Sequence, residues 1–228
     1  MNALSRKDPA MLRCTCFGLL VLALVSPLPA EDAAKSDEGY VSLFDGKTLT
    51  GWQGDVKGYS VADGAIVCQE KGGGFLYTDK EYADFSLRIE FKLTPGANNG
   101  IGLRVPLNKS DPAYAGMEIQ VLDDTSDKYK SIKDYQHHGS VYGIVPAKTG
   151  HLKPVGEWNS EEITLRGKLI TVVLNGETIV SADLAQASTP KTIDGREHPG
   201  LARDKGHICF CGHGAHVEFR NVRVKELK

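Results

Sequence analysis

The chain is poor in the features that announce the commonest architectures and partners. Aromatic residues fill only 7% of its 228 positions, too few for a surface paved with ring platforms. No block of Lys and Arg is interleaved with aromatics, and the formal net charge is −2, so no nucleic-acid partner is expected. The one extended apolar run, residues 14–25, is shorter than the roughly 20 residues that span a bilayer. No stretch sustains the 3.6-residue period of a long amphipathic helix. Cysteine is scarce, with five in all. Setting aside Cys14 and Cys16 leaves Cys68, Cys209 and Cys211, an odd number that obliges at least one thiol to stay free or bridge to another molecule. All three read as small apolar strand residues. Cys209 and Cys211 are expected on opposite strand faces and therefore unpaired. Together with His213 they also lack the paired-cysteine spacing of a zinc site.

What is present begins with a targeting signature. Arg6, Lys7 and Arg13 precede the apolar run, and Leu28-Pro29-Ala30 offers a small residue before Glu31, the layout of a cleaved signal peptide over residues 1–30. The expected product is exported, periplasmic or extracellular, with no membrane attachment after cleavage. Residues 31–38 read as an acidic, mobile linker, and residues 39–228 as a single domain.

That domain reads as short β segments punctuated by Gly, Asp, Asn and Pro. Strands are expected at 58–67, 85–93, 100–105, 117–122, 140–144, 158–166, 169–174, 179–183, 207–212 and 217–226. Phe85, Leu87, Ile89 and Phe91 alternate with Ser86, Arg88, Glu90 and Lys92, the period of a half-buried strand. Asn175-Gly176 between two β runs is a strong hairpin signal. Ten antiparallel strands without helices predict an all-β, two-sheet sandwich of the jelly-roll kind, with long loops at 108–115 and 185–205.

The stretch Gly116-Met117-Glu118-Ile119-Gln120-Val121-Leu122-Asp123 carries the clearest candidate chemistry. Successive strand side chains alternate faces, so Glu118 and Gln120 share one face while Met117, Ile119 and Val121 share the other. Asp123 has the opposite parity to Glu118, leaving one carboxylate on the polar face. The acidic cluster Asp123, Asp124 and Asp127 lacks the spacing of a calcium loop and reads as a solvated turn.

Seven ordered blocks give the chain a family likeness. They include Leu43-Phe44-Asp45-Gly46-Lys47-Thr48-Leu49-Thr50-Gly51-Trp52, Asn98-Asn99-Gly100-Ile101-Gly102-Leu103-Arg104, the Glu118 strand, Gly139-Ser140-Val141-Tyr142-Gly143 and Gly156-Glu157-Trp158-Asn159. In these the chain resembles the 3-keto-disaccharide hydrolase domains. The resemblance implies a concanavalin A-like jelly roll whose sheet faces sugar, acting on glucosides already oxidised at the 3-hydroxyl. The chain departs from the family pattern at Ile208-Cys209-Phe210-Cys211-Gly212, with cysteine and glycine where a Leu-Gln-like strand end is expected before His213.

A 3-keto group makes the C2 hydrogen acidic, so a base can remove it and the C1 aglycone can leave by elimination, with or without later hydration. That route needs a base, donors at the 3-oxygen and an acid for the departing oxygen. The expected catalytic residues are Glu118 and His213, either of them the base that takes the C2 proton and the other the acid or the group that orients it, with Arg104 supplying positive charge to the enolate oxygen. Gln120, Asn99, Tyr142 and His138 are expected to bind substrate. A possible divalent metal ion could polarise the ketone, but its ligands are not assignable from sequence. Trp52 and Trp158 read as structural plugs. The rival readings are a non-catalytic carbohydrate-binding module on the same fold and an interaction domain of the cell surface.

Overall fold

The computed structural model describes residues 38–228, so the expected leader lies outside the described residues, as does all but the last residue of the linker. Its architecture follows from the two-residue period of its apolar positions. In β6 (Phe85–Leu93), Phe85, Leu87, Ile89, Phe91 and Leu93 are buried, and in β8 (Met117–Leu122) Met117, Ile119 and Val121 join the same core. Two antiparallel sheets meet across these faces, giving the expected jelly-roll sandwich. One sheet contains β1 (Val41–Ser42), β3 (Tyr59–Ala62), β4 (Ala65–Cys68), β6, β9 (Trp158–Arg166), β10 (Leu169–Leu174), β11 (Glu177–Asp183) and β13 (Val217–Glu226). The other runs in the order β2 (Trp52–Gly54), β5 (Gly74–Tyr82), β12 (Gly206–Gly212), β7 (Asn98–Val105), β8. An aromatic stack ties the sheets together. Trp52 lies 5.0 Å from Phe210, which stacks at 4.1 Å on Phe219, each pair worth about 0.5–1.5 kcal/mol beyond its buried area.

Several boundaries differ from expectation. Residues 58–67 form two strands, because Asp63 and Gly64 both take positive φ and close a tight hairpin. β5 was not expected, since Gly72-Gly73-Gly74 at its entry and its charged end mask the apolar core of the strand. Residues 140–144 make only isolated bridges. The expected loop at 108–115 contains a short helix, α1 (Pro112–Ala115), and the one at 185–205 begins within another, α2 (Leu184–Ala187), and holds a 3-10 turn at Pro199–Ala202.

Cys209 and Cys211 share one face, as residues two apart on a strand must, correcting the expectation that they diverge. Both pack with Tyr77 and Val105 on the outer face of the five-stranded sheet, and Cys68, Cys209 and Cys211 are all buried and free.

Arg104 is the most consequential correction. The β12 and β7 register shifts between His207 and Cys209, and Arg104 adopts φ +52° in the resulting bulge. Val105 thereby takes the outer-face place that simple alternation gives to residue 104. The buried guanidinium donates to the carbonyls of Ala83, Gly167 and Arg203 and to Asp84 Oδ1 at 2.8 Å. It pins loop ends instead of facing a substrate. The guanidinium is buried but its partner Asp84 is about a third exposed, so losing the donor costs about 1–3 kcal/mol, and Arg104→Met is expected to lower unfolding stability in urea by that order. The fraction that remains folded should keep an unaltered substrate KM, and a selective rise in KM would restore Arg104 to the site.

Candidate active site

Glu118 and Gln120 stand on the outer face of β8, as the pleat requires, at the bottom of a cavity of about 260 Å³. The floor is built from glycine. Gly100 pairs with Gln120 and Gly102 with Glu118 across β7 and β8. A Cβ on Gly100 would come within 1.7 Å of Glu118 Oε1, so only a residue without a side chain lets the carboxylate lie over the sheet. The glycine spacing of residues 98–102 is therefore a seat for Glu118.

His213 follows directly on the end of β12 and reaches the same point. Its Nε2 lies 3.9 Å from Glu118 Oε1, with the imidazole half exposed and the carboxylate side chain 7% exposed. That spacing exceeds a hydrogen bond, and Glu118 Oε1 is buried without a hydrogen-bond partner. Burial raises the Glu118 pKa above its ordinary value, and His213 partly opposes the rise. Glu118 in turn raises the His213 pKa, against the opposing effect of burial. The pair is thus a carboxylate that resists ionisation beside an imidazole that favours its proton.

The walls come from three loops. Gln120 Nε2 points toward Asn98 Oδ1 at 3.4 Å. The Tyr142 hydroxyl accepts from Gln136 Nε2 at 2.9 Å. From the region of α1 come Asp111 and Tyr114, and from the long loop after α2 comes Arg196, all lining the cavity. The Arg196 guanidinium sits over the Tyr114 ring at 4.6 Å and donates to its hydroxyl. The loop is anchored behind this contact by His198, whose Nδ1 lies 3.1 Å from the Ala113 carbonyl and whose Nε2 lies 3.1 Å from Asp194 Oδ2. Burial raises the Asp194 pKa, but bonds from the Arg196 amide, Thr192 and His198 overcome it and hold the group below its ordinary value.

The structure brings Glu118, His213, Gln120 and Tyr142 together and leaves three expected residues elsewhere. Arg104 serves the loop ends described above. Asn99 faces the interior and is fully buried, its Oδ1 accepting from Gly100 N at 2.9 Å. Its neighbour Asn98 occupies the cavity, as the parity of Gly100 could have indicated. His138 is enclosed between the sheets, with Nδ1 accepting from Leu122 N at 3.4 Å, Nε2 3.1 Å from Glu161 and its ring 4.9 Å from that of Phe91. Asp123 bonds Gly96 N and Thr125, and Asp124 bonds the His138 amide, which accounts for two of the three acidic-cluster carboxylates as structural acceptors. Sequence reasoning missed Asp111, Tyr114, Gln136 and Arg196, which lie in loops without a periodic signal. Trp52 is buried in the core, and Trp158 is covered by the cations of Lys92 and Arg220 on the opposite sheet.

Among the described residues no group of three or more His, Cys, Asp or Glu side chains is arranged to hold a metal ion. The possible divalent ion therefore has no such ligand group there, and no step below is routed through one.

A family model described as a 3-keto-alpha-glucoside-1,2-lyase-like domain matches residues 39–225. The chain is 31% identical, over 83% of its own length and 79% of the relative's, to a 3-keto-disaccharide hydrolase of Bacteroides thetaiotaomicron. A crystal structure of a putative glycosyl hydrolase from Parabacteroides distasonis superposes with a TM-score of 0.72 at 31% identity, covering 89% of this chain and 99% of that one. The carbohydrate-binding module CBM66 of Bacillus subtilis is similar in fold, with a TM-score of 0.52 at 14% identity over 78% of this chain and 96% of that one.

The electrostatics of the site have a consequence for stability. Both Glu118 and His213 bind protons more tightly folded than unfolded. The native state therefore carries the extra proton, and unfolding free energy should fall as pH rises through and above the ordinary values of 4.5 and 6.5. Glu118→Gln is expected to flatten this slope and raise stability at neutral pH, which urea denaturation across pH 4–8 would measure. An unchanged slope would mean that Glu118 titrates normally.

Proposed function

Because the chain belongs to the 3-keto-alpha-glucoside-1,2-lyase-like domain family, we propose that it cleaves the C1–O bond of 3-keto-glucosides or 3-keto-disaccharides by proton abstraction at C2. The observation that carries this reading is the unpartnered, buried Oε1 of Glu118, seated over Gly100 and facing His213 across 3.9 Å. A base needs a free lone pair aimed into the cavity and an affinity for protons above that of a solvated carboxylate. Glu118 lines the cavity, its Oε1 has no hydrogen-bond partner, and burial raises its proton affinity.

In the proposed sequence Glu118 takes the C2 proton, and the electron pair of that C–H bond moves into the C2–C3 bond as the ketone oxygen gains negative charge. Arg196 supplies the positive charge for that oxygen, the part first expected of Arg104. Tyr142 and Gln120 hold the ring hydroxyls as donor and acceptor. The enolate then collapses, forming a C1–C2 double bond and breaking C1–O, while the protonated His213 gives its proton to the departing oxygen. Addition of water across the new double bond, hydroxide at C1 and a proton at C2, completes net hydrolysis. Without it the reaction is a lyase elimination.

Ordinary glycosidase chemistry fits the site less well. Two carboxylates flanking the bond are the usual requirement, and Asp123 is spent on Gly96 and Thr125. Asp111 lines the cavity, but one of its oxygens caps α1 through Ala113 N. The leader-like residues 1–30 extend the proposal to an exported enzyme meeting its sugar outside the cytoplasm.

Residues 31–228 should cleave a 3-keto-glucoside and leave its unoxidised parent intact, as followed by NMR in deuterated water, with deuterium entering C2. Glu118→Gln should lower kcat by about 10²–10⁴-fold, the range that general-base catalysis supplies, and His213→Asn should slow substrates with poor leaving groups most. Saturable sugar binding without cleavage would favour the carbohydrate-binding module. Full activity of either variant would remove that residue from the mechanism.

A further inference from the structure

The cavity that holds Glu118 and His213 is not the largest on the protein. A neighbouring, open cavity of about 640 Å³ lies between α2, the turn at Lys168 and the loop that runs to Ala202. The two cavities share Arg196, which lines both. His198 also lines the larger one, and its ring stands 4.8 Å from that of Tyr114, which lines the smaller. Tyr114, Arg196 and His198 therefore form a partition with the reacting pair on one side. His198 is fixed by Ala113 and Asp194, so the partition belongs to the anchored part of the loop.

The chemistry of the second cavity differs from that of the first. More of its exposed wall is apolar than polar, chiefly from Leu184, Pro190, Pro199 and Leu201. Ser188, Thr189, Thr192 and the carboxylate of Glu197 also line it, beside the cations of Lys168, Lys191 and Arg196. It has no Phe, Trp or Tyr on which a sugar ring could stack, and no Asn or Gln to match paired hydroxyls. The Ser188 and Thr189 hydroxyls already donate to the Ala185 carbonyl and that of Thr192 to Asp194, so a second sugar would meet few free neutral donors there. A flat apolar group would bury its surface against the proline and leucine walls, and an acidic oxygen on it would face the cations of Lys168, Lys191 and Arg196 against the single carboxylate of Glu197.

Building on the C1–O cleavage reading, we propose that this cavity is the leaving-group subsite, and that it selects an apolar or aromatic aglycone, with or without an acidic oxygen, over a second sugar. Arg196 then touches both halves of the substrate, with the oxidised sugar on the Glu118 side and the aglycone beyond the partition. The C1–O bond that breaks would lie beside it.

Three 3-keto-glucosides differing only in aglycone test this: methyl, 4-carboxyphenyl and glucosyl. The aryl compound is expected to have a KM about tenfold below that of the disaccharide, equivalent to about 1.4 kcal/mol. Ala202→Trp and Ala185→Trp fill the cavity from exposed positions and should erase that advantage while leaving the methyl compound's KM and kcat unchanged. Saturation-transfer NMR on unoxidised 4-carboxyphenyl glucoside gives a reading independent of catalysis, with transfer to the aryl protons in the parent protein and its loss in both variants. If no keto substrate is cleaved but that loss is seen, the subsite stands and the proposed reaction falls. The subsite is overturned if the methyl compound suffers as much as the aryl one, if the disaccharide is preferred, or if aryl saturation persists in both filled variants.

Discussion

The site depends on a single steric fact, the absence of a side chain at Gly100. β7 and β8 lie side by side, and across them Glu118 must lay its carboxylate over the neighbouring strand to reach the cavity. Any Cβ at that place would overlap the Glu118 carboxylate and its Cγ, so the side chain could not keep the position in which it faces His213. Once seated there, Glu118 is stripped of water and given no hydrogen-bond donor for one of its oxygens. Such an arrangement costs folding free energy, and the surrounding fold must offset it. The continuous apolar face on the other side of β8 does so, with Met117, Ile119 and Val121 wholly inside the core. The same pleat that hides three apolar side chains thereby turns the reactive ones to the opposite face, under the cavity.

Around this seat the protein divides its labour between sheet and loops. The sheet fixes Glu118, Gln120 and Asn98 by register, and the end of β12 delivers His213. The loops supply Tyr114, Tyr142 and Arg196, and they are themselves tied down by polar contacts, notably His198 between Ala113 and Asp194. Close backbone approach reinforces those ties. Gly143 leaves no room for a side chain beside Asp194, and Gly200 leaves none against Gly116. The residues that meet substrate thus stand on surfaces braced from behind, which favours positional accuracy over adaptability.

Much of this was legible from sequence, and the failures share a cause. Two-residue alternation located the core and the polar face of β8, and the Asn175-Gly176 turn signal located the hairpin, because those features depend on local sequence alone. His213 was reached through its place in a family-like block, and it meets Glu118 in space although 95 residues separate the two in the chain. Arg104 was misjudged because a bulge resets the alternation within β7, and nothing in the order of residues announces a positive φ at an arginine. Asn99 was chosen where parity favoured Asn98. His138 follows His137 in a polar stretch and looks like a surface residue, yet the chain returns there between the sheets to meet Glu161. Arg196 was invisible because its position depends on His198 and Asp194 anchoring an otherwise irregular loop.

The three cysteines of the described domain give the protein a property unrelated to its chemistry. Cys68, Cys209 and Cys211 are free, buried and enclosed by sheet, and burial raises the Cys68 and Cys211 thiols above their ordinary acidity range. A thiolate must be both formed and reached before it reacts. The native domain is consequently silent toward alkylating reagents, and each thiol becomes visible only when its cover is lost. Labelling of Cys68 is a built-in clock for opening of the core, and that of Cys209 and Cys211 for loss of the Tyr77 and Val105 cover on the outer face, while one cysteine added to an exposed loop could carry a spectroscopic probe without competition from the three already there.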